Sequence, residues 1–309
     1  VTPAARASLA VLAAAALFGT SGTTIALLAP DAPGPSVAAM RLLVGSLGLV
    51  AFVLWRGRRA ELLGLWRRGS VWLMGLAVAG YQAFFFMGTA RAGVAVGTLV
   101  SLALAPFMAG MLGWALREGA PGWVWVVSTV MAIAGVGLLM AGNLGSGDLL
   151  GTGFAATAGA CYAVYTVIGV RLSRAGGDPS AVLAASFAFG AVLLLPAAVT
   201  STWWQSPSGV AAVLWLGLGA TTVAYLLFGV GLRYLQPGHI ATLNLFEPAV
   251  ATLLGVLVLG EALGGLGWLG CLLVFAALAL LGASEGRRPA DQPRDRQPRD
   301  GQPSEGVTT

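Results

Sequence analysis

Arg41 and Glu247 are the two charged side chains that this sequence sets inside long apolar runs, within Ala39-Met40-Arg41 and Phe246-Glu247-Pro248. A guanidinium in hydrocarbon is costly unless it is paired or hydrated, so its retention points to work on an anion, a gate or a partner charge. The structural alternative for Arg41 is snorkelling, because it lies only about six residues, or ~9 Å, below the end of its run. Glu247 directly precedes Pro248. Proline removes one backbone hydrogen bond and frees a carbonyl, which is a way to build a substrate or ion contact into a membrane helix. A carboxyl in that setting is a candidate proton carrier, whereas an Arg41 to Glu247 ion pair, or a glutamate that locks the kink, is the structural alternative. Asn244, three residues earlier, shares its face.

Tyr81 and Gln82 in a third run, Tyr225 with Thr221 and Thr222 in an eighth, and Tyr162 with Tyr165 in a sixth supply most other polar groups inside apolar sequence. Aromatic walls bind amphipathic or cationic metabolites. The same side chains also serve as interhelical hydrogen bonds of about 0.6 kcal/mol each, which is their structural reading. Pro106 and Pro248 are expected helix breaks, and Gly45, one turn from Arg41, is an expected close-packing position. Glu118 and Glu261 read as helix-end groups, and His239, after Pro237-Gly238, as a solvated residue at a helix start.

The scarce residue types exclude much chemistry. All 17 Lys+Arg are arginine. Without lysine there is no P-loop and no Schiff base to retinal or pyridoxal phosphate. His239, Cys161 and Cys271 are too few for a zinc helix, a bis-His haem or an iron–sulfur ligand set, so neither a metal nor a cofactor is expected. Both cysteines sit in apolar runs and read as core residues without a disulfide. No aspartate falls inside an apolar run, which leaves an intramembrane enzyme without a catalytic set.

The elements that must hold Arg41 and Glu247 follow from composition. With 57% hydrophobic and 9% charged residues, against about 25% charged in a soluble domain, the chain belongs in lipid. Ten runs are long enough to cross ~30 Å of hydrocarbon as helices: roughly 7–28, 36–55, 70–90, 94–116, 122–141, 149–170, 180–200, 209–232, 239–259 and 265–283. The first, behind Arg6, reads as an uncleaved helix and not as a secretory signal. Residues 285–309, rich in Arg, acids and Pro, read as a disordered cytoplasmic tail.

Loop arginines orient the runs. With the amino terminus inside, fifteen arginines fall on the cytoplasmic side and Arg91 alone falls outside, so both termini are expected in the cytoplasm. Trp203 and Trp204 suit the outer interfacial belt. The basic balance is thus a topology signal, and no motif supports a nucleic-acid partner.

The second half repeats features of the first. Pro35-Ser36 is answered by Pro179-Ser180, Tyr81 by Tyr225, Pro106 by Pro248, Gly113 by Gly255, and Arg117-Glu118 by Gly260-Glu261. Two five-span units result, residues 7–141 and 149–283, and because five is odd the second is inverted. The fold expected is therefore all-α integral membrane, with ten transmembrane helices as two inverted five-helix repeats. This order of motifs, with Arg41 early in the second span, Leu104-Ala105-Pro106 in the fourth and Phe246-Glu247-Pro248 in the ninth, resembles the EamA family of the drug/metabolite transporter superfamily. The resemblance implies a bacterial inner-membrane secondary carrier, typically an exporter of amino acids or other small metabolites, with a central cavity lined by both repeats. Its expected partners are a small-molecule substrate, protons as the candidate coupling ion, and the bilayer. A monomer and a homodimer both stay open, and a passive channel or a non-transporting membrane subunit is the alternative class.

Overall fold

The computed structural model describes residues 2–92, 94–117, 122–140, 148–260 and 264–286, and every regular element among them is helical. In chain order these are α1 (Pro3–Leu28), α2 (Gly34–Trp55), the short α3 (Arg59–Leu65), α4 (Gly69–Ala92), α5 (Val94–Ala115) and α6 (Trp123–Met140). They continue with α7 (Leu149–Arg174), α8 (Pro179–Ala198), α9 (Pro207–Leu214), α10 (Ala224–Tyr234), α11 (Pro237–Leu243), α12 (Phe246–Leu259) and α13 (Gly265–Gly286). A π-helical stretch, Trp215–Val223, joins α9 to α10 without interruption. Among the described residues eight helical runs are long and apolar enough to cross a membrane, with Pro207–Tyr234 and Pro237–Leu259 each counted as one, and α6 and α13 contribute two shorter apolar helices. This is a multi-span membrane protein.

Helix starts follow local chemistry. Proline stands in the first turn of α1, α2, α8, α9 and α11, where its missing N–H would have had no partner anyway. Thr2, Asp148, Asp178 and Ser206 cap α1, α7, α8 and α9 with side-chain oxygens that accept backbone N–H groups. Two ends match across the chain: Arg117 after α5 and Gly260 after α12 both adopt positive φ, 60° and 72°.

The packing also comes in matched pairs. Contacts of α4 and α5 with α7 are answered by contacts of α10 and α12 with α1, while α2 packs on α8 and α6 on α13. Exchanging α1 with α7, α2 with α8, and so on through the chain therefore returns the most extensive of these helix pairings. The α4–α7 approach is close enough that a Cβ on Gly88 would lie 2.9 Å from the Ala155 nitrogen, which favours glycine there. Helix α1 lies within this packing, against α10 and α12.

Three expectations change. α5 runs unbroken through Pro106, because losing one backbone hydrogen bond is tolerable in a helix held by its neighbours. His239 is buried at 3% exposure, since Pro237-Gly238 opens a helix packed inward against α5 and α7 and not a solvated loop. Trp203 does more than face an interface, as its indole N–H donates to Ser36 Oγ at 3.0 Å and ties the start of α9 to α2. Cys161 and Cys271 are free thiols. Glu118, Glu261 and the tail from 287 onward lie outside the described residues.

Candidate substrate-binding site

Arg41 enters from α2, about two turns past its start. Tyr81 and Gln82 come from the middle of α4, Tyr162 and Tyr165 from the middle of α7, and Tyr225 from the first turn of α10. Asn244 occupies the joint between α11 and α12, and Glu247 the first turn of α12. All eight line one cavity of about 80 Å³, together with Phe18 of α1 and Phe85 and Phe86 of α4. This volume lies well below the 300–1,000 Å³ of pockets that bury drug-sized ligands.

The joint that carries Asn244 and Glu247 is a true helix break. Leu245 N–H bonds to the Thr242 carbonyl and Glu247 N–H to the Asn244 carbonyl, both at 3.0 Å and both reaching back three residues. Pro248 has no N–H to offer the Asn244 carbonyl, so the tighter bond from Glu247 takes its place. The result sets Glu247 at the amino-terminal end of α12, where the helix dipole favours negative charge.

Opposite that joint, the π-helical stretch widens the helix just ahead of Tyr225. Thr221 and Thr222 donate their hydroxyls five residues back, to the Leu216 carbonyl at 2.7 Å and the Gly217 carbonyl at 3.1 Å. Such widened turns are frequent at functional sites. They leave no mark on apolar periodicity, and the only advance signs here were Gly217, Gly219 and the threonine pair.

The wall is aromatic. The Tyr162 and Tyr165 ring centroids lie 4.9 Å apart, and Tyr81 meets them edge-on at 5.9 and 6.3 Å. Tyr225 packs on Phe18 at 4.9 Å and on Phe187 at 4.3 Å. These are ordinary aromatic geometries, so the rings form a firm surface facing the charged pair.

Arg41 lines this cavity and is partly buried. None of the ion pairs among the described residues joins Arg41 to Glu247. Arg41 Nε, Tyr162 Oη and Asn244 Oδ1 are buried without a hydrogen-bond partner. A buried polar atom left this way is costly, and here three of them belong to residues that line the same small space. Sequence reasoning missed Phe18, Phe85 and Phe86, because a phenylalanine in an apolar run carries no contrast. Among the described residues no group of His, Cys, Asp and Glu has the arrangement to hold a metal ion.

The model of the EamA-like transporter family matches the chain twice, over residues 5–141 and 149–283. The chain belongs to the EamA-like transporter family. The transporter YwfM of Bacillus subtilis (strain 168) is 37% identical over 281 residues, covering 90% of this chain and 94% of that one. The threonine/homoserine exporter RhtA of Salmonella typhimurium is 30% identical, covering 86% of each chain. A protein of known crystal structure superposes with a TM-score of 0.78 at 23% identity, over 91% of this chain and 98% of that one, which is a likeness of fold. As an EamA-like protein the chain is a transporter and not an enzyme.

Proposed function

We propose that this transporter carries small amino acids or closely related zwitterionic metabolites out across the bacterial inner membrane. Alternating access would run between two inverted five-helix repeats, residues 7–141 and 149–283. The observation that carries the reading is the small cavity that Arg41 and Glu247 face without pairing with each other. An α-amino acid brings a carboxylate, which suits a guanidinium fork, and an ammonium group, which suits a carboxylate. The amide groups of Gln82 and Asn244 and the tyrosine wall complete its surroundings. The name of the RhtA relatives, threonine/homoserine exporter, supports both the substrate class and the direction.

Ten crossings are supported by an ion pair. Arg91 at the end of α4 lies 3.6 Å from Asp148 at the start of α7, while α5 leads away to the opposite end of the bundle. Helix α6 must bring the chain back for these two residues to meet, and its 18 residues span about 27 Å at 1.5 Å each. The repeat is supported by the exchange of helix contacts and by the matched positive φ of Arg117 and Gly260. Cytoplasmic termini follow from the arginine distribution. Glu247 is the group assigned to proton coupling, with the substrate's own gradient as the alternative driving force. A passive channel fits less well, because the cavity is narrow and walled by rings.

Proteoliposomes loaded with single amino acids test the proposal. Saturable flux that is stimulated by substrate on the far side, and weakened in Arg41→Ala through a raised half-saturation concentration, is expected. Unsaturated conductance would overturn it in favour of a channel.

A further inference from the structure

A second hollow, of about 360 Å³, lies at the arginine-rich end of the bundle between α2, the start of α8 and α10. Its inner wall is apolar: Phe52, Leu226 and Val230, the last 37% exposed on the outside of the bundle. The floor stays shallow because Gly229 sits against α8, where an added Cβ would meet Pro179 at 3.2 Å. At the mouth stand Arg56 and Arg233. Both are exposed, and none of the ion pairs among the described residues includes either of them. Each guanidinium instead lies over a ring, Arg56 5.8 Å from Phe52 and Arg233 6.0 Å from Tyr234. The one acid in the lining, Asp178, pairs with Arg58 at 2.8 Å and caps α8, so its charge is already answered.

The hollow therefore has a cationic rim level with the helix ends and an apolar trough running into the membrane. From Tyr234 back to Leu226 the trough covers about 12 Å of helix. We propose that it binds an anionic phospholipid of that leaflet, with the phosphate between Arg56 and Arg233 and one acyl chain along Phe52, Leu226 and Val230. Basic clefts between helices at a membrane surface are suited to such headgroups. Charge complementarity selects the anionic lipid. Continuity of the trough with the lipid-facing surface selects a lipid over a free anion. The site is separate from the Arg41 cavity, and its occupancy does not depend on what that cavity carries.

Native mass spectrometry of the full chain in mild detergent, titrated with phosphatidylglycerol or with phosphatidylcholine of the same acyl chains, tests this. The intact protein is expected to hold phosphatidylglycerol more tightly, and R56Q/R233Q is expected to weaken that binding roughly 30-fold, at about 1 kcal/mol per surface arginine. R67Q/R68Q, which removes the same charge elsewhere, should leave it unchanged. Val230→Trp fills the trough without touching a charge and should displace both lipids, which keeps the test valid if the double variant misfolds. Equal binding of the two lipids, unchanged phosphatidylglycerol binding in folded R56Q/R233Q or in Val230→Trp, or displacement by millimolar inorganic phosphate would each overturn the proposal.

Discussion

The hydroxyl of Thr222 donates to the backbone carbonyl of Gly45 at 3.0 Å and so ties the π-helical stretch to α2 one turn beyond Arg41. The same proton is shared with the Gly217 carbonyl at 3.1 Å within its own helix as a three-centre bond, so a single side chain contacts both the wide turn and α2. That approach requires glycine at 45, where a Cβ would lie 2.7 Å from Thr221 Cβ.

Gly45→Val should therefore push α2 outward and misplace Arg41, with at least a tenfold loss of flux on the scale of ordinary repacking costs. Thr222→Val should cost only about 0.6 kcal/mol, the mean for one interhelical hydrogen bond in a membrane. Thermal melting in detergent alongside vesicle flux separates the two. A tolerated Gly45→Val would show that α2 has slack at this crossing.

In the proposed function the charged pair divides the substrate between its two ends. Arg41→Ala should raise the half-saturation concentration for an amino acid at least tenfold, whereas the matching amine, which lacks the carboxylate, should be affected much less. Arg41→Lys should restore activity only in part, since an ammonium cannot fork a carboxylate. Equal losses for amino acid and amine would remove Arg41 from substrate contact.

Glu247→Gln tests the coupling role. If the carboxyl carries the proton, this variant should keep exchange of substrate for substrate while losing flux driven by an imposed pH gradient. Gradient-driven flux that survives intact in Glu247→Gln would dismiss coupling through this residue.

At the arginine-rich end, Arg58 bridges Glu61 at 3.0 Å and Asp178 at 2.8 Å, and Glu61 accepts the Asp178 N–H at 2.6 Å. Burial raises the Asp178 carboxyl, but hydrogen bonds from Ser180 and Ala181 and the charge of Arg58 outweigh it and hold the group below the usual aspartate range. Its stabilising effect is thus complete above the ordinary value of about 3.9 and is lost as pH falls through the lower folded value. Asp178→Ala should cost about 1 kcal/mol at neutral pH, as an N-cap loss does. The melting temperature should also fall less between pH 6 and pH 3 in the variant than in the intact protein.

Topology is open to cysteine labelling in a background with Cys161→Ala and Cys271→Ala. Cysteines placed at Arg91, Asp148 and Ser201 should react with an impermeant reagent from one side, and those at Arg58, Arg117 and Arg174 from the other. Labelling of Asp148→Cys on the side of Arg117→Cys would mean that α6 does not cross.

Arg41 and Glu247 were legible in the sequence because a charge among apolar neighbours is conspicuous, and the tyrosines because few polar groups share those runs. The phenylalanines of the wall had no such contrast. His239 was misread because Pro-Gly ahead of it looks like a loop, whereas Pro237 fits against Gly113 and Gly238 against Gly110 and Trp125. Pro106 and Pro248 are the same residue with different outcomes, a continuous helix and a break. Local sequence states the missing hydrogen bond in both cases, but the packed neighbours decide whether the helix bends around it.

The matched set of helix contacts has a further consequence. On the proposed inverted repeat, a chain whose second half retraces the first upside down would encode two shapes at once, since each half could adopt the conformation the other now holds. Threading 149–283 onto the path of 7–141, and the reverse, would draw the opposite-facing state from the protein's own coordinates. Disagreement between that drawing and cross-links trapped during turnover would locate the residues at which the two copies have diverged in task.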